Sequence, residues 1–137
     1  MHHIILGFDF GLKRIGVAVG QTTTRSANPL TILKADRGVP HWDEIKKLIT
    51  EWGADTLIVG LPLNMDGTEQ FITQQAKIFG EELKKHFKLP VIFVDERLTT
   101  IAAKDEIHST RKGAARFERA DSVSAKLILE SWLTVNG

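Results

Sequence analysis

Three acidic residues in distant parts of the chain lie at positions where a carboxylate is unexpected. The first is Asp9. It lies inside the apolar run Ile4–Phe10, between Gly7 and Gly11. Burial of a lone carboxylate costs on the order of several kcal/mol unless the group is paired, hydrogen-bonded or bound to a metal. By strand alternation the two glycines share its face and leave room for a bulky group to approach. Asp9 is therefore either a site residue or a strand-end residue that caps the following turn.

Glu96 is the second acid, and it ends the strand-like segment that begins at Val91. Ligands of open α/β sheets collect at the carboxyl ends of strands, which makes this a favourable position for a site. The run Asp95-Glu96-Arg97 also fits a charged loop that opens the next helix. Taken alone, the position leaves both interpretations open.

Asp121 is the third acid, and it lies near the start of the last predicted helix. At about 100° per residue it falls beside Ile128 and Trp132 on the inward face. The charged stripe on the opposite face consists of Arg119, Lys126 and Glu130. The helix dipole favours an acid in the first turn, which accounts for the residue type but not for the inward position.

Together, Asp9, Glu96 and Asp121 indicate a shared site for divalent metal ions. Oxygen-only ligands suit Mg²⁺ or Mn²⁺. Two such ions about 3.5–4 Å apart can activate a water and stabilise the leaving oxygen of an in-line attack on a phosphodiester. The histidines show no zinc-ligand spacing, and the sequence has neither a Walker loop nor a dinucleotide fingerprint. The set therefore favours metal-dependent cleavage of a nucleic-acid backbone.

The composition limits the class of protein. A chain of 137 residues fits one domain, so we predict a single domain over residues 1–137. Hydrophobic residues make up 42% and charged residues 26%, as in soluble globular proteins, and no apolar run approaches the roughly 18–20 residues of a membrane span. The absence of a signal-peptide pattern and of cysteine fits the cytoplasm. The net charge of +1 does not by itself indicate a nucleic-acid-binding protein.

The elements that must position the acids begin as an antiparallel meander. Ile4–Phe10 has the apolar pattern of a buried strand, and Gly11–Arg14 that of a tight turn. Ile15–Val19 is predicted to return as a second strand, and Leu30–Leu33 to form a short third strand. Asp9 is thereby placed at the end of the first strand, next to a turn.

Helices and strands alternate after the meander. Pro40 is expected to open a helix whose apolar stripe consists of Trp42, Ile45, Leu48, Ile49 and Trp52. Asp66, with Glu69 as its partner, is expected to cap a second helix whose apolar face consists of Ile72, Ala76, Phe79, Leu83 and Phe87. Two short strands are predicted, over Thr56–Val59 and Val91–Val94.

The last part of the chain is predicted as a helix over Thr99–Ile107, a polar stretch over His108–Glu118 and a final helix over Arg119–Val135. The whole order predicts a mixed α/β fold with a five-stranded sheet flanked by helices. Three strands would form the antiparallel meander, and two parallel strands would join it through right-handed crossovers.

Basic residues are candidates for binding nucleic acid. Lys13 and Arg14 leave the strand of Asp9, so their turn is well placed for contact with phosphate. Such clusters also occur as solvated surface. The further candidates are Arg97, Arg111, Lys112 and Arg116. In the loop after Gly60, the side chains of three residues either contact phosphate at a helix amino terminus or serve only as turn and cap; they are Asn64, Asp66 and Thr68.

Four segments resemble, in order along the chain, the motifs of the YqgF family, whose members are Holliday-junction-resolvase-like proteins and candidate pre-16S rRNA nucleases. These segments are Gly7–Ala18, Gly60–Glu69, Asp95–Thr100 and Asp121–Leu129. The resemblance spans nearly the whole chain, and four motifs in the same order are highly specific. Only the stretch His108–Glu118 does not align clearly with the family pattern.

The resemblance implies a ribonuclease-H-like fold and a bacterial cytoplasmic protein. It also implies a metal-dependent nuclease that matures the 5′ end of precursor 16S ribosomal RNA, with the ribosome as a further partner. The family's carboxylates correspond to Asp9, Glu96 and Asp121, the same residues that the physical interpretation selects.

Two other functions remain as alternatives, and a third is discounted. A resolvase of four-way DNA junctions would use the same chemistry, and its symmetric cut needs two active sites and hence a dimer; the sequence leaves the oligomeric state open. A non-catalytic nucleic-acid-binding factor would use the acids only structurally. An actin-like ATPase or sugar kinase also opens with an Asp among glycines on a hairpin, but such enzymes need two domains of this kind and 137 residues supply one.

Overall fold

A computed structural model describes residues 3–96 and 113–136 of the chain, with side chains for residues 3–96 and 123–134. Six strands form one sheet in the order β4-β3-β2-β1-β5-β6. The elements are β1 Ile4–Asp9, β2 Arg14–Gln21, β3 Ser26–Asp36, β4 Val39–Pro40, α1 Trp42–Trp52, β5 Thr56–Leu61, α2 Phe71–Phe87, β6 Val91–Asp95 and α3 Gly113–Asn136. Among the described residues no helix combines the length and the hydropathy needed to cross a membrane.

The sheet combines an antiparallel meander with two parallel strands, as the sequence predicts. Strand β1 pairs antiparallel with β2 and parallel with β5, β2 pairs antiparallel with β3, and β5 pairs parallel with β6. The predicted number of five strands is wrong by one. The sixth strand, β4, is a two-residue strand that pairs with the end of β3 and is too short to leave a periodic pattern.

The third strand is much longer than the predicted Leu30–Leu33, because it runs over Ser26–Asp36. Its register with β2 shifts between Val17 and Ala18, which pair with Thr31 and Pro29 respectively. A proline interrupts a strand pattern in sequence, but a sheet tolerates it where the ladder is irregular. The irregularity is therefore the reason why the sequence pattern concealed most of this strand.

The first helix begins later than predicted. Pro40 does not open it, because this residue pairs with Ala35 as the last residue of β4. Helix α1 starts at Trp42 after His41 and ends at Trp52, where Gly53 caps it with a left-handed φ of 66°. Ile45 is fully buried as its apolar stripe predicts, whereas Trp52 at the end of the stripe is 43% exposed.

The second helix begins at Phe71, so the predicted cap of Asp66 with Glu69 is wrong. The N–H of Gln70 donates to the Thr73 hydroxyl oxygen at 3.0 Å, and that hydroxyl donates to the carbonyl of Pro62. Glu69 instead forms an ion pair with Lys77 on the helix surface. The helix starts later than predicted because the turn before Phe71 is closed by its own hydrogen bonds.

The described part of the last helix starts at Gly113. The polar stretch predicted over His108–Glu118 is therefore helical from residue 113 onward. Its start contains two alanines, the strongest helix formers, among the charges that suggested a loop. The helix predicted over Thr99–Ile107 lies outside the described residues.

The sheet separates two apolar layers, and this separation positions the acids. On one face, α1 and α2 cover a core that includes Leu6, Phe8 and Ile15. On the other face, α3 covers Ile5 and Ile58 with its own apolar residues, which are Ala125, Ile128, Leu129 and Leu133. Because side chains alternate along a strand, the residues between those of the first core face α3. Asp9 is one of them.

Candidate active site

Asp9 is the last residue of β1 and lies opposite Gly16 of β2. Gly7 shares its face, and a Cβ on Gly7 would lie 2.5 Å from Cγ of Leu129. The space beside Asp9 that the sequence assigned to an approaching group is thus filled at Gly7 by the protein's own helix α3. Gly11 serves the turn, because a Cβ there would lie 2.4 Å from the carbonyl oxygen of Arg14.

Glu96 directly follows β6, and its backbone N–H donates to the carbonyl of Leu61 at 3.1 Å. This bond extends the parallel ladder by one residue beyond the strand. Ile92 and Val94 pack against the layer under α3, so alternation turns Glu96 toward the same layer. The side chain of Glu96 is only 6% exposed, whereas neighbouring Asp95 is exposed.

Gly60 lies between the two acids, on the strand that separates β1 from β6. Val59 pairs with Phe8 on one side, and Gly60 pairs with Val94 on the other. A Cβ on Gly60 would lie 2.7 Å from both Cγ and Cδ of Glu96. The side chain of Glu96 therefore lies flat over Gly60. The sequence interpretation treated Gly60 only as a strand end, although a glycine inside an apolar strand was the same signal that drew attention to Gly7.

The structure brings Asp9 and Glu96 into contact through a side-chain hydrogen bond. A hydrogen bond between two carboxyl groups needs a proton on one of them. Burial raises the pKa of Glu96 above its ordinary value of 4.5; the hydrogen bond to Asp9 opposes this effect, and the charge of Asp95 adds to it. In the absence of a cation the pair is therefore suited to hold a shared proton.

The donor atoms of this pair fit a hard divalent cation, because both side chains offer carboxylate oxygens. Among the described side chains, no group of three His, Asp or Glu residues could hold a metal ion. The third predicted ligand, Asp121, lies in α3, and its side chain is outside the described part. It precedes the fully buried Ala125 by one helical turn and Ile128 by two, so its helix position is on the face toward the sheet.

The predicted phosphate-binding residues are only partly described. Lys13 lies in the turn after β1, and Arg14 is the first residue of β2; both are exposed. Arg97, Arg111 and Lys112 lie outside the described residues, and Arg116 lies in α3 with an undescribed side chain.

The loop after β5 is a self-contained turn. The Thr68 N–H and hydroxyl both donate to Oδ1 of Asp66, at 3.0 and 2.6 Å. Nδ2 of Asn64 donates to the Thr68 hydroxyl oxygen at 2.9 Å, and the Asn64 N–H donates to the Thr68 carbonyl at 2.9 Å. These bonds favour the interpretation of Asn64, Asp66 and Thr68 as turn residues over phosphate contacts.

Comparison with known proteins identifies relatives of this chain by sequence. A family model described as "RuvX: Holliday junction resolvase" matches residues 3–135. A Nitrosococcus oceani protein named "Putative pre-16S rRNA nuclease" is 52% identical over 131 residues, which cover 96% of this chain and 86% of that protein. A Coxiella burnetii protein of the same name is 56% identical over 130 residues, covering 95% and 92%.

Two solved structures share the fold at low sequence identity. Thermus thermophilus RuvC in complex with a Holliday junction substrate has a TM-score of 0.56 at 12% identity, over 97% of both chains. Fowlpox virus resolvase in complex with Holliday junction DNA has a TM-score of 0.55 at 16% identity, over 96% of this chain and 97% of that one. These similarities confirm the predicted ribonuclease-H-like fold.

Proposed function

This chain belongs to the RuvX family of Holliday junction resolvases, and from that premise we propose that it is a metal-dependent endonuclease that matures the 5′ end of precursor 16S ribosomal RNA. The observation that carries the proposal is the hydrogen-bonded pair of Asp9 and Glu96, which meets at the carboxyl ends of β1 and β6, the two strands that pair parallel with β5. We place this activity in a single domain and in the cytoplasm.

In this proposal Asp9, Glu96 and Asp121 would hold two Mg²⁺ or Mn²⁺ ions. Bound ions of this kind lower the pKa of a water and stabilise the oxygen that leaves a phosphodiester. The backbone of Glu96 is fixed by the ladder bond of its N–H to Leu61, and the missing side chain of Gly60 leaves the space that its carboxyl group occupies. Such fixed carboxylates reduce the reorganisation that metal and substrate binding would otherwise require.

Lys13 and Arg14 supply positive charge next to Asp9. Both are exposed and leave the same edge of the sheet at which Asp9 lies. Contacts of this kind with phosphate oxygens position a nucleic acid without reading its sequence. In the proposed reaction they orient the backbone, whereas the acids act at the bond that is cut.

Precursor ribosomal RNA is the favoured substrate because the relatives named for this RNA are more similar in sequence to this chain than the resolvases of four-way junctions are. The relatives that are 52% and 56% identical are named for that RNA, whereas the resolvases bound to four-way junctions share only 12–16% identity and hence the fold. The family description keeps four-way DNA as the second candidate substrate. A symmetric junction cut requires two active sites, so a stable dimer in solution would favour it.

The test is cleavage of a labelled 16S rRNA precursor and of a four-way DNA junction in parallel, with Mg²⁺ or Mn²⁺, by wild type and by Asp9→Asn. Asp43→Asn is the matched control, because Asp43 is an exposed acid on α1 in the other layer. We expect RNA cleavage by wild type and by the control, and none by Asp9→Asn.

Each other outcome has a defined meaning. Junction cleavage alone would replace the RNA substrate by four-way DNA. RNA binding without cleavage under any metal condition would favour the non-catalytic binding factor. Cleavage that survives Asp9→Asn would remove Asp9 from the metal site.

A further inference from the structure

Two basic residues face each other directly across neighbouring strands beside the candidate active site. In the register of β2 with β3, Arg14 pairs with Lys34, and both side chains are exposed. Like charges directly opposite each other in an antiparallel pair destabilise the sheet. The sequence marks Arg14 but not Lys34 as a candidate for binding phosphate, because only the register shows that the two residues are neighbours.

This basic pair lies on the face of the sheet that carries Asp9. The next pair of the ladder, Ile15 with Leu33, points into the core under α1 and α2. Alternation therefore turns Arg14 and Lys34 to the opposite face, which is the face of Asp9. Asp9 pairs with Gly16, two residues from Arg14. With strands about 4.8 Å apart and about 3.4 Å per residue, the Cα atoms of Arg14 and Lys34 lie roughly 8 and 12 Å from that of Asp9.

The strand ends that carry the pair are held together by backbone hydrogen bonds. The N–H of Ala35 donates to the Lys13 carbonyl at 2.9 Å, and the N–H of Gly38 donates to the Leu12 carbonyl at 2.8 Å. The turn after β1 is thus fastened to the β3–β4 hairpin. The positions of the two basic residues relative to Asp9 are set by the sheet and not by a free loop.

Few described acids balance this charge. Within residues 3–96 and 123–134, neither Arg14 nor Lys34 forms an ion pair with a carboxylate; the ion pairs of that part of the chain involve other cations. Asp36 lies two residues beyond Lys34 on the same face. The charge of this one acid compares with the charges of four neighbouring cations, which are Lys13, Arg14, Lys34 and Arg37.

We propose that Arg14 and Lys34 together form a binding subsite for one phosphate of a nucleic-acid backbone, one or two nucleotides from the bond that is cut. The inference rests on the proposed nuclease function and adds Lys34 to the residues that bind substrate. An anion between the two side chains removes their mutual repulsion. Their separation from Asp9 lets a nucleic-acid strand pass the ends of β1, β2 and β3 nearest Asp9, with its cleavable bond over the acids.

The test is equilibrium binding without cleavage, measured in EDTA by fluorescence anisotropy with a labelled 5′ fragment of precursor 16S rRNA and with a labelled four-way DNA junction. The variants are Lys34→Ala, Lys34→Glu and Arg14→Ala. Lys47→Ala and Lys47→Glu are the matched controls, because Lys47 is an exposed lysine on α1 in the other layer. Each protein is titrated between about 50 and 200 mM salt, the range in which counterion release is measurable.

We expect Lys34→Ala to weaken binding about two- to fivefold and Lys34→Glu to weaken it further. Each lost phosphate contact lowers the salt slope by about 0.7–0.9, so the difference between wild type and variant shrinks about threefold across the titration. Because both residues hold one phosphate, Arg14→Ala combined with Lys34→Ala should cost less than the product of the single effects. The melting temperature of Lys34→Ala should equal or exceed that of wild type, since repulsion is removed.

The subsite is overturned if Lys34→Ala binds with the same slope and affinity as Lys47→Ala. It is also overturned if the melting temperature of Lys34→Ala falls well below that of wild type, because the residue would then be structural. Failure of the nuclease function is a separate result, since cleavage by wild type with Mg²⁺ or Mn²⁺ is measured on the same probes. Wild type that cuts while Lys34→Ala binds normally refutes only the subsite; wild type that neither binds nor cuts refutes both.

Discussion

Asp9 and Glu96 are hydrogen-bonded through their side chains although β1, which ends in Asp9, and β6, which Glu96 directly follows, are not neighbours in the sheet. The strand between them is β5. It carries Gly60 at the position over which the side chain of Glu96 lies flat. Any larger residue at position 60 would occupy the space of the carboxyl group. The candidate site therefore depends on the absence of a side chain as much as on the two acids.

Asp9→Asn should leave the fold intact and abolish cleavage. The amide keeps the size of the carboxyl group and can donate a hydrogen bond to Glu96, but it removes a charge that a divalent cation requires. Loss of residues that only support a metal ligand costs about 10- to 100-fold in activity, so loss of a ligand itself should exceed about 100-fold. Cleavage of labelled precursor RNA measures the activity, and thermal unfolding measures the fold. Retained cleavage would exclude Asp9 as a ligand.

Mg²⁺ or Mn²⁺ should raise the melting temperature of wild type. A cation that binds only the folded protein at about 100 times its dissociation constant adds roughly 2.7 kcal/mol to the free energy of unfolding. Glu96→Gln should lose this increase because one charged ligand is gone, whereas the exposed Asp43→Asn should keep it. Calorimetric or fluorescence melts over a metal titration give the result. Equal metal-dependent shifts in wild type and Glu96→Gln would contradict a site at Glu96.

Gly60→Ala should weaken metal binding together with stability. The new Cβ would lie 2.7 Å from Cγ and Cδ of Glu96 and 2.5 Å from Cδ1 of Ile128. Overpacking of this kind costs about 1–3 kcal/mol. Adding Ile128→Val removes the contact with Ile128 and should recover part of the stability, but it leaves Glu96 displaced. Mn²⁺ affinity, measured by calorimetry on the double variant, should therefore stay below that of wild type.

Gly7→Ala is the matched control for this prediction. Its Cβ would lie 2.5 Å from Cγ of Leu129, so it overpacks the same layer between the sheet and α3, but the atoms it meets first belong to Leu129 and not to Glu96. We expect a similar loss of stability and an unchanged Mn²⁺ affinity. If both alanine variants lower the affinity by the same factor, the effect of Gly60→Ala is a general consequence of packing and not of the position of Glu96.

The metal-free protein should lose stability as the pH rises, through the contribution of Glu96. Burial raises the folded-state pKa of Glu96 above its ordinary value of 4.5. Between these two values the folded protein binds more protons than the unfolded one, so the free energy of unfolding falls with increasing pH. The contribution is fully present below about pH 4.5 and is lost as the pH rises through the raised folded pKa.

Glu96→Gln isolates this contribution because its amide does not titrate. Urea unfolding in EDTA, at pH values on both sides of the transition, gives the free energy of unfolding of wild type and variant. We expect the free energy of unfolding of Glu96→Gln to increase relative to that of wild type as the pH rises. A difference that stays constant with pH would show that the pKa of Glu96 is the same in the folded and unfolded states.

Local patterns predicted the elements wherever one side chain periodicity ran without interruption. The strand of Asp9, the buried strand before Gly60 and the apolar face of α2 are examples. The predictions failed at boundaries. Pro40 and Asp66 are typical of helix starts, yet one pairs in a short strand and the other closes a turn. Both errors arose because a cap residue competes with alternatives that only the neighbouring chain segments decide.

The sequence by itself determined that Asp9 and Glu96 lie at the ends of apolar segments and that their residue types suit a divalent cation, because burial makes a lone carboxylate costly wherever the strand lies. Strand order and register were decided only by the tertiary structure. They place Gly60 between the acids and pair Arg14 with Lys34 across two strands. These contacts join residues that are far apart along the chain. A one-residue change of register would turn such side chains to the other face of the sheet. For that reason the acids and Arg14 could be named from the sequence, whereas the position of Gly60 under Glu96 and the pairing of Arg14 with Lys34 could not.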